Sequence, residues 1–204
     1  MKTILEFLKK EGACAEGYKY SLAFDNLKDL WDSLDRGDWM LWGIGNLSDV
    51  LGCYERERRR LGFVTCQCSR LALVYVKDGE TIPLKIIELV EAWANGGIVT
   101  LAEVRQAADD ADDAYTAAYT IHDNAAAYAA AIDAAYAVAC AADAAYAAYA
   151  AIDASCAAAY AYADDVDAAM DARRKTLKQC ADIVRKYYSI EEIETAINKR
   201  MKGE

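Results

Sequence analysis

Residues 125–165 read AAAYAAAIDAAYAVACAADAAYAAYAAIDASCAAAYAYADD, a tract of alanine, tyrosine and aspartate without one lysine or arginine. Alanine has the highest helix propensity, because it loses no side-chain entropy in a helix and buries no polar group. Its small side chain also lets helix backbones approach closely, with the tyrosines as large spacers. The tract therefore predicts long Ala/Tyr-rich helices packed antiparallel in an all-α, multi-helix bundle. It does not read as a membrane span: Asp133, Asp143 and Asp153 interrupt it, and each would cost about 2.5–3.5 kcal/mol at a bilayer centre.

No glycine or proline occurs between residues 101 and 188, yet one straight helix of that length would run roughly 130 Å at the α-helical rise. A compact chain of this size has a radius of gyration near ~17 Å, so the segment must fold back. Candidate breaks are His122-Asp123-Asn124, Asp153-Ala154-Ser155 and Asp164-Asp165, where Asp or Asn can cap a new helix. Asp123, Asp133, Asp143 and Asp153 recur every ten residues, about 80° short of three full turns per step. They spiral around the helix rather than line one face, as a trace of duplication or a device for solubility. An ice-binding face would need a regular polar residue at helical period, and no regular threonine is present. Two capping boxes flank the segment, Thr100 with Glu103 and Ser189 with Glu192.

The other half is built differently. Ten of the eleven glycines, the single proline and all four tryptophans precede residue 98, which divides the chain into a Trp/Arg-bearing helical region, 1–97, and an Ala-rich region, 98–204, read as one continuous domain. In the first, the pattern predicts helices at about 2–10, stopped by Gly12; near 18–24; and at about 27–35, capped by Asp25 or Asn26. A short helix over DWMLWG capped by Asp38 follows, then a loop holding Gly43, Gly45 and Gly52. A longer helix is expected over 54–76, with Gly62 as its weak point, and a turn at Lys77-Asp78-Gly79. An amphipathic helix from Thr81 and Pro83 carries Ile82, Ile86, Leu89, Val90 and Trp93 at helical spacing and ends at Gly96-Gly97.

Composition restricts function. The net charge is -10, and residues 101–172 carry thirteen Asp or Glu against Arg105 alone, which disfavours nucleic-acid binding. The opening MKTILEFLKKEG places a glutamate and two lysines where a signal peptide needs an apolar core, so a cytoplasmic protein is expected. Seven cysteines without a CxxC pair fit reduced thiols.

A catalytic constellation is hard to assemble. His122 is the only histidine, beside Asp123 at a predicted helix boundary, which suits a surface or capping role. Asp109–Asp113 satisfies the DDxxD pattern of magnesium-diphosphate sites, but Ala168 breaks the same spacing in the acidic stretch that starts at Asp164. Glu88 and Glu91 form an ExxE pair with no second acidic pair close by, and no glycine-rich phosphate loop exists. The expectation is a non-enzyme without metal or cofactor.

Arg56, Arg58, Arg59 and Arg60 crowd the first turns of the predicted 54–76 helix, where they oppose the macrodipole. They form either a solvated charged face or an anion-binding patch. The tyrosines of the Ala-rich tract either pack a core or stack a base.

LEFLKKEGA at 5–13, RGDWMLW at 36–42, CSRLAL at 68–73, EAWANG at 91–96, TLAEVRQAAD at 100–109 and the closing CADIVRKYY at 180–188 together resemble the alanine-rich, all-helical immunity protein family of bacterial toxin-immunity systems, similar proteins of which occur on phage genomes. The resemblance implies an all-helical, non-enzymatic cytosolic protein that neutralises a partner. Asp38, Trp39, Trp42, Arg70 and Trp93 match its motif residues. Each also has a structural reading, the tryptophans as core and Asp38 as a cap.

Two functions are thereby expected as alternatives. In one, an acidic protein of immunity or phage counter-defence type caps a basic toxin or defence protein, with charge steering the encounter. In the other, a phage protein sequesters a nucleotide immune signal, with tyrosines on the base and Arg56, Arg59 and Arg60 on phosphate. The second needs a concave Arg/Tyr-lined site, which the subunits of a homo-oligomer could form between them.

Overall fold

The computed structural model describes residues 1–75, 81–107, 109–110 and 166–203. They form an all-α helical bundle: α1 Lys2–Lys10, α2 Ala15–Ser21, α3 Leu27–Ser33, α4 Gly37–Gly45, α5 Ser48–Leu51, α6 Tyr54–Ser69, α7 Ile82–Ala94, α8 Val166–Tyr187 and α9 Ile190–Lys202. A 3₁₀ turn, Arg70–Tyr75, continues α6, and residues 101–107 are helical. The alanine tract with its aspartate repeat and all its tyrosines, the predicted breaks at 122–124, 153–155 and 164–165, residues 111–113 of the DDxxD match and the predicted turn at 77–79 lie outside the described residues, as does the predicted antiparallel packing of the long helices.

Local chemistry sets most of these boundaries. Beyond α1, Gly12 adopts φ +79° and lets the amide of Ala13 donate to the carbonyl of Leu8 at 2.8 Å, a left-handed turn that only glycine enters without steric cost. Gly96, at φ +76°, repeats the device after α7, with the Gly97 amide on the carbonyl of Ala92 at 2.8 Å. Asn26 caps α3 by accepting from the amide of Asp29 at 2.9 Å. Both capping boxes form: Thr100 with Glu103, and Ser189 with Glu192 at the head of α9.

Four boundaries depart from the sequence reading. Helix α2 starts at Ala15 rather than near 18, because the Cys14 thiol accepts from the amide of Gly17 and serves as cap. Asp38 does not cap α4: it lies inside the first turn, and the N-cap position belongs to Arg36 without a side-chain cap. Gly43 and Gly45 belong to α4 and not to a loop. The 54–76 helix gives way to the 3₁₀ turn after Ser69.

The core is shared by α1, α3, α4, α6, α8 and α9. Phe7, Leu30, Leu41, Ile44, Leu61, Val64, Val184 and Ile197 meet in it, all nearly inaccessible to water. Burying each such side chain is worth about 1.5–3 kcal/mol. Helix α8 crosses α4 closely enough that a Cβ on Gly37 would stand 2.5 Å from the Cβ of Cys180. On its other flank, α6 packs against α7, where Trp93 lies 3.1 Å from the place a Cβ on Gly62 would take. Gly62 is therefore a close-packing position and not a weak point.

Candidate functional site

The arginines predicted as a charged patch are spoken for by the fold. The last carbonyls of any helix lack intrahelical donors and carry the negative end of the macrodipole, so a guanidinium from elsewhere is a favourable partner. Arg59 donates to the carbonyl of Trp93 at the end of α7, and Arg60 to that of Tyr187 at the end of α8. Arg185 does the same for α3, reaching the carbonyls of Trp31 at 2.7 Å and Leu34 at 2.5 Å. The N-terminal crowd of arginines that opposes the dipole of α6 thus satisfies the C-termini of its neighbours.

Carboxylates complete the arrangement. Arg56 and Arg60 both reach Glu57, which is buried to 1% exposure. Arg60 also pairs with Glu192 at 3.1 Å and lies 4.1 Å above the Tyr188 ring. Arg59 pairs with Glu55 and covers the ring of Trp93. Arg70 and Gln67 converge on Glu91, the arginine through two hydrogen bonds of 2.8 and 2.7 Å. Trp93 itself is a core residue at 1% exposure. Arg56, Arg59, Arg60, Arg70 and Trp93 therefore gather around α6 and α7, each in contact with the fold, although the Arg56 side chain is largely exposed.

Titration follows from these contacts. The hydrogen bond from Arg60 holds the Glu192 carboxyl below its ordinary range. Burial pushes the Cys66 thiol well up, and a hydrogen bond with Cys68 together with burial does the same to Cys180. High thiol pKa values keep these cysteines protonated and unreactive. Among the described residues, no group of three or more His, Cys, Asp or Glu side chains could hold a metal ion.

The remaining three predicted residues, Asp38, Trp39 and Trp42, lie elsewhere, at a cavity of about 330 Å³ bounded by α1 to α4. Leu8, Leu30, Leu34, Trp39, Trp42 and Gly43 are among the residues that line it. Trp39 and Trp42 are one turn apart and so share a face of α4. Asp38 does not touch that space directly. Its buried carboxylate, 1% exposed, receives Arg36 at 2.9 and 2.6 Å, and the same guanidinium lies 4.1 Å from the centroid of the Trp39 ring. Tyr20 meets Trp39 edge-on at 6.0 Å and anchors its own hydroxyl on the carbonyl of Ser33. The indole is thus fixed before anything binds.

The eight predicted residues therefore form two clusters: a structural one on α6 and α7, and the wall and support of a cavity on α4. Sequence reasoning did not single out the cavity residues of α1 to α3, because they come from separate helices that only the tertiary fold brings together. Gly43 was visible as a glycine but was assigned to a loop.

Among the described residues, no helix is long and apolar enough to cross a membrane. Comparison with protein-family models, with curated proteins and with solved structures found no match.

Proposed function

We propose that this chain is a non-enzymatic, cytoplasmic binding protein that neutralises a protein partner, as an immunity or phage counter-defence protein does. The observation that carries the reading is the Trp39–Trp42 cavity. It is an apolar recess with preset aromatic walls, in a bundle whose Arg56, Arg59, Arg60 and Arg70 all engage internal carboxylates or carbonyls. In protein interfaces a few residues, rich in Trp, Tyr and Arg and seated in desolvated pockets, carry most of the binding energy. The net charge of -10 favours a basic partner through electrostatic steering. The contacts of Arg59 and Arg60 with helix-end carbonyls favour this reading over a nucleotide held by the same arginines.

The test is native mass spectrometry of the tagged protein purified from cells that carry the partner system, followed by expression of any captured protein alone and with this chain. The reading expects a retained basic protein whose toxicity or defence activity disappears on co-expression. Retention of a nucleotide-sized mass instead would replace it with signal sequestration.

A further inference from the structure

We infer that the Trp39–Trp42 cavity is an anchor site for one aromatic side chain, Phe or Trp, standing beside a Lys or Arg on the surface of the protein partner. This rests on the neutralising role proposed above and names the part of the partner that is gripped.

Four observations converge on such an occupant. The first is size. At about 330 Å³ the cavity is at the small end of ligand sites, which span about 300–1,000 Å³; one bulky side chain suits it better than an extended ligand.

The second is that its wall is mainly apolar. Small-molecule sites orient their ligand with a few convergent polar groups. Here the Ser21 hydroxyl donates to the carbonyl of Gly17 at 2.9 Å, and the Cys14 thiol accepts from the amide of Gly17 at 3.3 Å. With those contacts made inside α2 and the wall mainly apolar, an occupant held from outside, by the chain to which it is attached, suits the cavity.

The third is Gly43. A glycine inside a helix costs about 1 kcal/mol relative to alanine. Gly37 and Gly62 have a packing reason, since a Cβ on either would press on a neighbouring helix, but a Cβ on Gly43 would meet nothing within 4 Å. The glycine lies in the cavity lining, where a side chain has open space to enter.

The fourth is the rim. Trp39 is held by Arg36 on its face and Tyr20 at its edge, which lowers the ordering cost on binding. Glu16, 76% exposed and 3.7 Å from Arg36, offers a carboxylate beside the mouth for a cationic neighbour of the anchor.

The experiment labels the protein with 5-fluorotryptophan and follows its four fluorine signals during titration with the peptide amides KKWKK, KKAKK and EEWEE and with free indole. The expected result is saturable movement of the Trp39 and Trp42 signals by KKWKK while those of Trp31 and Trp93 stay still. KKAKK and EEWEE should bind at least about tenfold more weakly, as loss of an anchor residue or its charge partner implies. Gly43→Leu, whose Cβ would meet nothing within 4 Å, should melt no lower than wild type and lose the response; Trp42→Ala serves as a second variant. Binding that survives Gly43→Leu overturns the site, and indole binding as tightly as KKWKK overturns the attached-side-chain assignment. Neutralisation retained by a Gly43→Leu protein removes the pocket and leaves the role. Peptide binding with no neutralised partner removes the role and leaves the pocket.

Discussion

Arg36 holds the buried carboxylate of Asp38 through two hydrogen bonds, 2.9 and 2.6 Å long, while its guanidinium lies against the Trp39 indole. One side chain thus neutralises a charge in the core and sets the wall of the cavity. Removing one partner of a buried pair leaves the other uncompensated, at about 3–5 kcal/mol. Arg36→Ala should therefore destabilise the protein by an amount in that range in urea denaturation. Asp38→Ala, which leaves a partly exposed arginine still 3.7 Å from Glu16, should cost clearly less.

Two glycines of the same helix should respond oppositely to alanine. At Gly37 the new Cβ would fall 2.5 Å from the Cβ of Cys180 and 2.6 Å from the amide nitrogen of Ala181, so α8 must move, at about 1–3 kcal/mol or more. At Gly43 the Cβ meets nothing, and Gly43→Ala should stabilise by up to about 1 kcal/mol. Thermal melts of the two variants check the contrast, and equal shifts would refute the packing of α4 on α8.

The two classes of tryptophan should separate as well. Trp93→Ala empties a core position and should cost about 3–5 kcal/mol. Trp42 is half-buried, so Trp42→Ala should cost less stability while removing partner binding. A denaturation curve and a partner titration on each variant read the two effects independently.

Acid should loosen the corner between α8 and α9. The Glu192 carboxyl is held below its ordinary range first by Arg60 and then by the Ser189 amide, against the opposing effect of burial. A group with a depressed folded pKa contributes stability above its unfolded value, and that contribution is lost as pH falls through the folded one. Wild type should lose stability below about pH 4.3, the ordinary Glu value, while Glu192→Gln should start lower and show a flatter acid limb.

Thiol reactivity should follow burial. Cys14 and Cys53 are exposed, whereas Cys66, Cys68 and Cys180 are buried. In pulsed alkylation read peptide by peptide, the first two should react before the other three, which should become reactive only when the protein unfolds. Early modification of Cys180 would contradict the α4–α8 contact.

Much of the helical layout was legible because its signals are local. A glycine beyond α1, an asparagine before α3 and the Ser189–Glu192 box each act over no more than five residues, and each does so here. Asp38 misled because an acidic residue beside a helix start resembles a cap; its partner Arg36 is two residues away, but its burial depends on α8 packing over α4. Gly43 misled because propensity alone places glycine in loops.

The sequence by itself determined the all-α class, most helix ends and the list of aromatic and arginine residues worth inspecting, since propensity and capping act over a turn or two of chain. Only the tertiary structure decided what those residues do. Arg59 finds the end of α7, and Arg60, more than a hundred residues from Tyr187, finds the end of α8. Trp39 and Trp42 become a recess because α1, α2 and α3 close around them. Helix ends attract any cation and apolar surface attracts any apolar surface, so which helix meets which is fixed by packing the whole chain.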